Sequence, residues 1–245
     1  MFKKIVSPQL LQGIIFYFLI TITGLGVNAY AARPFVTDDA RLTTAGSCQV
    51  ETWTRSYSTS LETWALPACN PTGNLEFTVG GGRAYFDAVA TPTSTDYVYQ
   101  AKTLFQKLDE HTTGIGLAVG MVHHPSIQVG PNQHGNQYAF IPISVPLHKD
   151  RLIMHLNPGV LRDKASQETR KTWGLGFEFN ATSRWMLIAE SFGDSSTGSY
   201  WQSGVRFAII PNLLQVDTTT GKKYSGSSET QWISFGLRFT PSSIF

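Results

Sequence analysis

Charge is scarce in this chain. Asp, Glu, Lys and Arg make up 15% of its 245 residues, against roughly 25% in an ordinary soluble domain. The net charge is only +2, and no Lys/Arg cluster is interleaved with aromatics, so neither nucleic acid nor an acidic partner is indicated. After Ala32 no apolar stretch approaches the roughly 18 residues of a spanning helix. Repeats, low-complexity tracts and domain linkers are missing, which leaves one domain. Cysteine is limited to Cys48 and Cys69. Hydrophobic content is 42%, with no excess of grease, while aromatics reach 12% and Gly, Thr and Ser abound. That composition suits alternating strands better than helices.

The first residues read as an export signal. Lys3 and Lys4 open it, Leu10 to Val27 is largely apolar, and Ala29-Tyr30-Ala31 supplies small residues for cleavage near Ala31 or Ala32. A retained anchor is the alternative, because the apolar run is long enough to span. The expected division is a signal peptide over 1–31, a periplasmic segment over 32–47, a β-barrel over 48–239 and a tail over 240–245. The segment 32–47 is expected on the periplasmic side or tucked into the barrel mouth. Export also takes the two cysteines to an oxidising compartment, where a disulfide persists.

Period-2 alternation runs through the mature chain. In Gln231 to Phe239, Ile233, Phe235, Leu237 and Phe239 share one face, and Trp232, Ser234, Gly236 and Arg238 the other. Similar segments are 75–79, 97–105, 114–121, 172–179 and 200–209, with weaker ones at 137–145, 152–160, 184–190 and 213–218. A two-residue turn at Ser58-Thr59 sets Cys48 opposite Cys69, Trp53 opposite Trp64 and Arg55 opposite Glu62. A cysteine pair, an aromatic pair and an ion pair thus emerge from one register, each a favourable cross-strand pairing. A disulfide between Cys48 and Cys69 is expected.

The links between strands alternate short and long, apart from the tight first hairpin. That rhythm predicts an antiparallel up-and-down barrel of about twelve strands, with short turns on one side of a bacterial outer membrane and longer loops on the other. The apolar set then faces lipid and the polar set the lumen, and closure satisfies every backbone group. Trp173, Trp185 and Trp201 near strand ends fit interfacial girdles; core tryptophans of a soluble fold are the alternative.

Several segments resemble the Gram-negative outer-membrane barrels grouped as "MetA-pathway of phenol degradation". They are Thr172 to Phe179, Ala189 to Gly193, Tyr200 to Arg206, Pro211 to Asp217 and Trp232 to Phe239, with a weaker echo over Arg33 to Ala40. They cover about the last third of the chain. The resemblance implies a barrel passing small organic compounds. The chain departs from the usual pattern in carrying Thr240 to Phe245 beyond the last alternating strand. Either the assembly signal is internal or the tail folds over the periplasmic rim.

The alternation singles out Glu51, Arg55, Glu62, Glu76, Lys102, Glu178, Glu190, Arg206, Asp217 and Arg238 as lumen charges. A turn at Pro211-Asn212 sets Arg206 across from Asp217, and closure brings Glu51 near Arg238. Glu178 and Glu76 fall at similar depth, so a mixed-sign ring is expected near the periplasmic end. Such a ring is either a constriction for polar solutes or an ion-paired filling that stiffens the wall. Three functions follow: a passive or semi-selective channel, a closed barrel acting through its outer loops, and an embedded hydrolase. The hydrolase needs a Ser/His pair with an orienting acid; His155 and Ser144 lie on adjoining strands, with no nucleophile motif around either.

His123, His124 and His134 share one loop without a carboxylate or cysteine partner, which argues against a metal site. Asn180-Ala-Thr182 matches a glycosylation sequon but falls in a short turn. Gly80-Gly-Gly82 lacks the Lys and helix of a phosphate loop and fits a bend in a crowded wall. No cofactor is called for. The expected partners are outer-membrane lipid, the barrel-assembly machinery and a small-molecule solute.

Overall fold

A computed structural model describes residues 35–87, 93–123, 137–163, 166–227, 230–242 and 244. The described residues form fourteen antiparallel segments: β1 (Ser47–Tyr57), β2 (Ser60–Asn70), β3 (Leu75–Phe86), β4 (Thr93–Gln106), β5 (Gly114–His123), β6 (Gln137–Phe140), β7 (Ile143–His148), β8 (Leu152–Leu156), β9 (Gly159–Arg162), β10 (Thr169–Asn180), β11 (Trp185–Asp194), β12 (Gly198–Ile210), β13 (Leu214–Lys223) and β14 (Trp232–Phe239). They fill twelve positions of a closed wall. β6 and β7 share the place next to β5, while β8 and β9 share the place next to β10. The ring closes where β1 pairs with β14.

Two prolines explain the divided strands. Phe140 pairs with Gly159 and Ile143 with Leu156 in one continuous register. Between those pairs Ile141 faces Pro158 and Pro142 faces Asn157. Proline has no N–H for the ladder, so the regular pattern lapses there. The remaining groups still bond, Ile141 N–H to the Pro158 carbonyl and Gly116 N–H to the Pro142 carbonyl, each at 3.0 Å.

The first hairpin has the expected register: Cys48 opposite Cys69, Trp53 opposite Trp64, Arg55 opposite Glu62. The two cysteines are bonded. Arg206 lies across from Asp217, although the turn is Pro211 to Leu213 and a bulge between Ala208 and Ile210 absorbs the extra residue. Asn212 takes a positive φ of 62° there, a conformation asparagine tolerates well. At Gly82 an added Cβ would meet the Trp64 ring at 2.3 Å; the glycine serves close packing inside the wall.

The connections are less uneven than the sequence suggests, because strands run into segments expected as loops. β11 runs on to Asp194, past the alternating segment 184–190, and β4 begins at Thr93, ahead of 97–105. The tail follows the near rim, the end where β1 begins and β14 stops. Thr240 N–H bonds the Leu213 carbonyl at 2.8 Å, and Ile244 N–H bonds the Gly46 carbonyl at 3.0 Å.

The two faces of the wall differ as a barrel in lipid requires. Ile233, Phe235, Leu237 and Phe239 are exposed on β14, while Trp232, Ser234 and Arg238 are buried. Trp173 and Trp185 lie on the outer face, exposed near strand ends. Replacing Phe235, in the middle of β14, with Arg is expected to cost about 2–4 kcal/mol of stability in lipid. The same change at Phe239 on the rim should cost about 0–1 kcal/mol. Urea unfolding in vesicles measures both.

Candidate functional site

The lumen is occupied by the chain's own N-terminal segment. Residues 35–46 form a strap that lies inside the wall, deeper than the mouth position expected for it. Thr37, Asp39, Ala40, Arg41 and Thr43 are all buried. The strap makes no ladder of its own, so its backbone groups need side-chain partners. Glu190 of β11 accepts the N–H groups of Val36 and Thr37, both at 2.7 Å. Ser144 of β7 accepts the N–H of Ala40 at 2.8 Å. Glu76 of β3 accepts the N–H of Thr43 at 2.6 Å, and Asn70 donates to the Thr43 carbonyl at 2.7 Å. Bonds to an ionised acceptor are worth about 1.5–3 kcal/mol each, which offsets part of the entropy lost in ordering an extended segment.

The strap's charges are paired as well. Arg41 Nη1 reaches Glu178 Oε2 at 2.9 Å and Asp39 Oδ2 at 3.1 Å. Lys102 Nζ donates to both oxygens of Asp38, at 3.0 and 3.1 Å. Burial pushes the Asp38 carboxyl up to about 6; Lys102 opposes that shift, and the nearby Asp39 and Glu76 add to it.

All ten charges singled out by the alternation are buried. Glu76, Lys102, Glu178 and Glu190 hold the strap. Glu178 and Glu76 meet it two residues apart, at Arg41 and Thr43. The other six lie along the wall, where four of them form two ion pairs. Arg55 Nη1 stands 3.9 Å from Glu62, and Arg238 Nε stands 3.8 Å from Glu51. Gln49 and Gln215 accept from the Arg238 guanidinium at 3.2 and 3.4 Å, and Arg206 faces Asp217 in the ladder.

Ser144, His155 and Glu178 fall in a line. Ser144 Oγ is 2.8 Å from His155 Nδ1, and His155 Nε2 is 3.2 Å from Glu178 Oε2. The distances match a nucleophile, a base and an orienting acid. The surroundings do not, because Ser144 and His155 have no exposed surface and the Ala40 N–H caps the hydroxyl. With the strap seated, this line is part of the seat. The described residues contain no group of three or more His, Cys, Asp or Glu suited to a metal; His124 and His134 lie outside them.

The inner face is less polar than the alternation implies. Trp53 and Trp64 stack at 5.6 Å within a buried cluster with Ala84, Val98, Val122, Tyr138 and Leu161. Across the lumen Phe192, Tyr200 and Trp232 form a second cluster, joined by Tyr57 and by Val36 of the strap. Both lie toward the far rim. The alternation put Trp232 on the inner face with Ser234 and Arg238, but the rule that apolar residues point outward passes over the rest; an aromatic facing its own kind across a predicted register, as at Trp53 and Trp64, is the available signal.

Open space remains inside the wall. At the near rim a cavity of about 540 Å³ is lined by Arg151, Arg184, Arg206 and Arg238, with Asp150 and Gln215 among the others. One of about 410 Å³ lies along Ala40 to Ala45. A third, about 120 Å³, sits deeper between Phe35, Asp38, Glu51, Trp53, Glu76 and Lys102.

Glu190→Gln leaves a single neutral oxygen facing two N–H donors. The Val36 and Thr37 amides are expected to exchange with solvent roughly ten- to hundredfold faster, as loss of a charge-assisted bond implies. Ladder amides of β12 and β13 should be unchanged, as hydrogen-exchange mass spectrometry can check.

No curated protein matches the chain. Solved structures match its fold at low identity. The NanC porin aligns with a TM-score of 0.55 and 8% identity over 79% of this chain and 100% of its own. The KdgM porin gives 0.56 and 10%, over 79% and 99%. The COG4313 outer membrane channel from Pseudomonas putida F1 gives 0.55 and 10%, over 88% and 99%. At such identity the likeness establishes the architecture, a twelve-position closed barrel. The profile described as "Uncharacterised conserved protein UCP029691" matches residues 20–240, and the chain belongs to that family.

Proposed function

We propose that this protein is an outer-membrane channel for passive or semi-selective passage of small organic molecules. The observation that carries the reading is the combination of a closed wall, apolar outside, with a charged lumen that keeps open space beside the strap. An apolar outer band satisfies lipid, and a lumen lined with charges is wasteful in a barrel that needs only to fill itself. The fold shared with the NanC and KdgM porins and with the COG4313 channel supports it. So does the resemblance of the last third to the "MetA-pathway of phenol degradation" barrels. In this reading the N-terminal signal directs export, the assembly machinery inserts the barrel, and no reaction is catalysed.

The strap and the two aromatic clusters favour a second reading, a closed barrel with a structural or interaction role. Conductance separates the two. An added Cβ at Gly174 would lie 2.6 Å from Thr37 Oγ1, so Gly174→Leu crowds the strap without removing any of its charged partners. Wild-type protein in planar bilayers is expected to give steady unitary steps, and Gly174→Leu larger or more frequent ones. Folded barrels that remain silent in both forms would overturn the channel.

A further inference from the structure

We propose that the lumen selects cations, and that small organic cations are the charged solutes it passes most readily. The inference rests on the channel reading and adds the charge class of the solute. Eight carboxylates but only five Lys and Arg side chains are buried in the described residues. Asp38, partly buried on the strap, adds a further carboxylate. In the far half Glu62, Asp96 and Glu190 share the lumen with Arg55 and, at the rim, Lys223. Inside walls of low dielectric a surplus of one sign acts strongly on a permeating ion, and carboxylates in a narrow path favour cations.

The apolar part of the same layer has matching chemistry. Tyr57 and Trp232 stand 6.1 Å apart, Tyr200 and Trp232 6.4 Å, and Phe192 and Tyr200 5.8 Å. Aromatic faces attract cations, most of all alkylated ones, and repel anions. The protein's own cations use these faces already. The Arg55 guanidinium lies 5.7 Å from the Trp232 ring, and Lys223 Nζ lies 5.9 Å from Tyr200 toward the far rim. Arg55, which lies over Trp232, is also 3.9 Å from Glu62, so a carboxylate borders this aromatic layer.

The arginine-lined cavity at the near rim does not reverse this. The Arg151 guanidinium is 5.7 Å from the Phe179 ring, which takes it toward the outer face. Arg206 and Arg238 stand opposite Asp217 and Glu51 in their ladders. The near half buries Asp39, Glu51, Glu76, Glu178 and Asp217 with Arg41, Lys102, Arg206 and Arg238, so buried cations are not in excess there either.

The test is the reversal potential of single channels in a potassium chloride gradient, then in a tetramethylammonium chloride gradient. Wild-type protein is expected to pass potassium several-fold more readily than chloride, and tetramethylammonium more readily than chloride as well. Glu62→Gln with Asp96→Asn should bring the potassium-to-chloride ratio toward one, and Arg55→Gln should raise it. The opposite directions rule out a general loosening of the barrel, and heat-modifiable migration verifies that each variant is folded. Steps that favour chloride, or a ratio indifferent to these variants, would overturn the inference while leaving the channel standing. Absence of steps from every form would overturn both.

Discussion

The structure depends on what happens to carboxylates placed inside a closed wall. Glu76, Glu178 and Glu190 point into a lumen where full ionisation without partners is expensive. The strap supplies those partners: two consecutive N–H groups for Glu190, one for Glu76 and a guanidinium for Glu178. In return the strap, which has no ladder to complete, gains acceptors for a backbone that burial would otherwise leave unsatisfied. Each half removes the other's desolvation cost, so neither is expected to persist alone.

This exchange also links the wall to its filling. Ser144 and His155 are cross-strand neighbours on β7 and β8, and His155 bridges to Glu178 on β10. The strap meets that bridge twice, through the Ala40 amide and the Arg41 guanidinium. A constellation that looks like hydrolytic machinery in distance alone is thereby engaged as a clamp. A cavity of the near mouth runs along Ala40 to Ala45, which makes strap position the natural control on the width of any path there.

The wall was legible in the sequence because its physics is local and periodic. The hairpin around Ser58-Thr59 could be placed by arithmetic, since three independent pairs agreed on one register. The last strand separated its faces cleanly, and closure placed Glu51 across from Arg238, where the ladder has it. What stayed hidden was not periodic. Pro142 and Pro158 interrupt two strands only because they fall at adjoining places in neighbouring staves, a relation that sequence distance does not display. The inward stacking of Trp53 on Trp64, and of Phe192 beside Tyr200, breaks the rule that apolar means outward. The strap's depth could not be read at all, because Phe35 to Gly46 has no period, and its partners lie up to 154 residues away. The ten charges singled out by the alternation are buried, but Asp96 of β4 is buried too and escaped that reading, and that four of the ten serve the strap emerges only when the chain is folded.

The central claim is that the strap lies within the barrel, seated on wall side chains. A cysteine pair, Ala40→Cys with Ser144→Cys, tests it in native membranes while the Cys48–Cys69 bridge stays intact, because the Ala40 amide is 2.8 Å from the Ser144 hydroxyl. Near-complete cross-linking is expected under mild oxidation, read as a peptide linking the two segments after proteolysis. Two cysteines that stay unlinked, and that a water-soluble maleimide labels freely on the folded barrel, would contradict it.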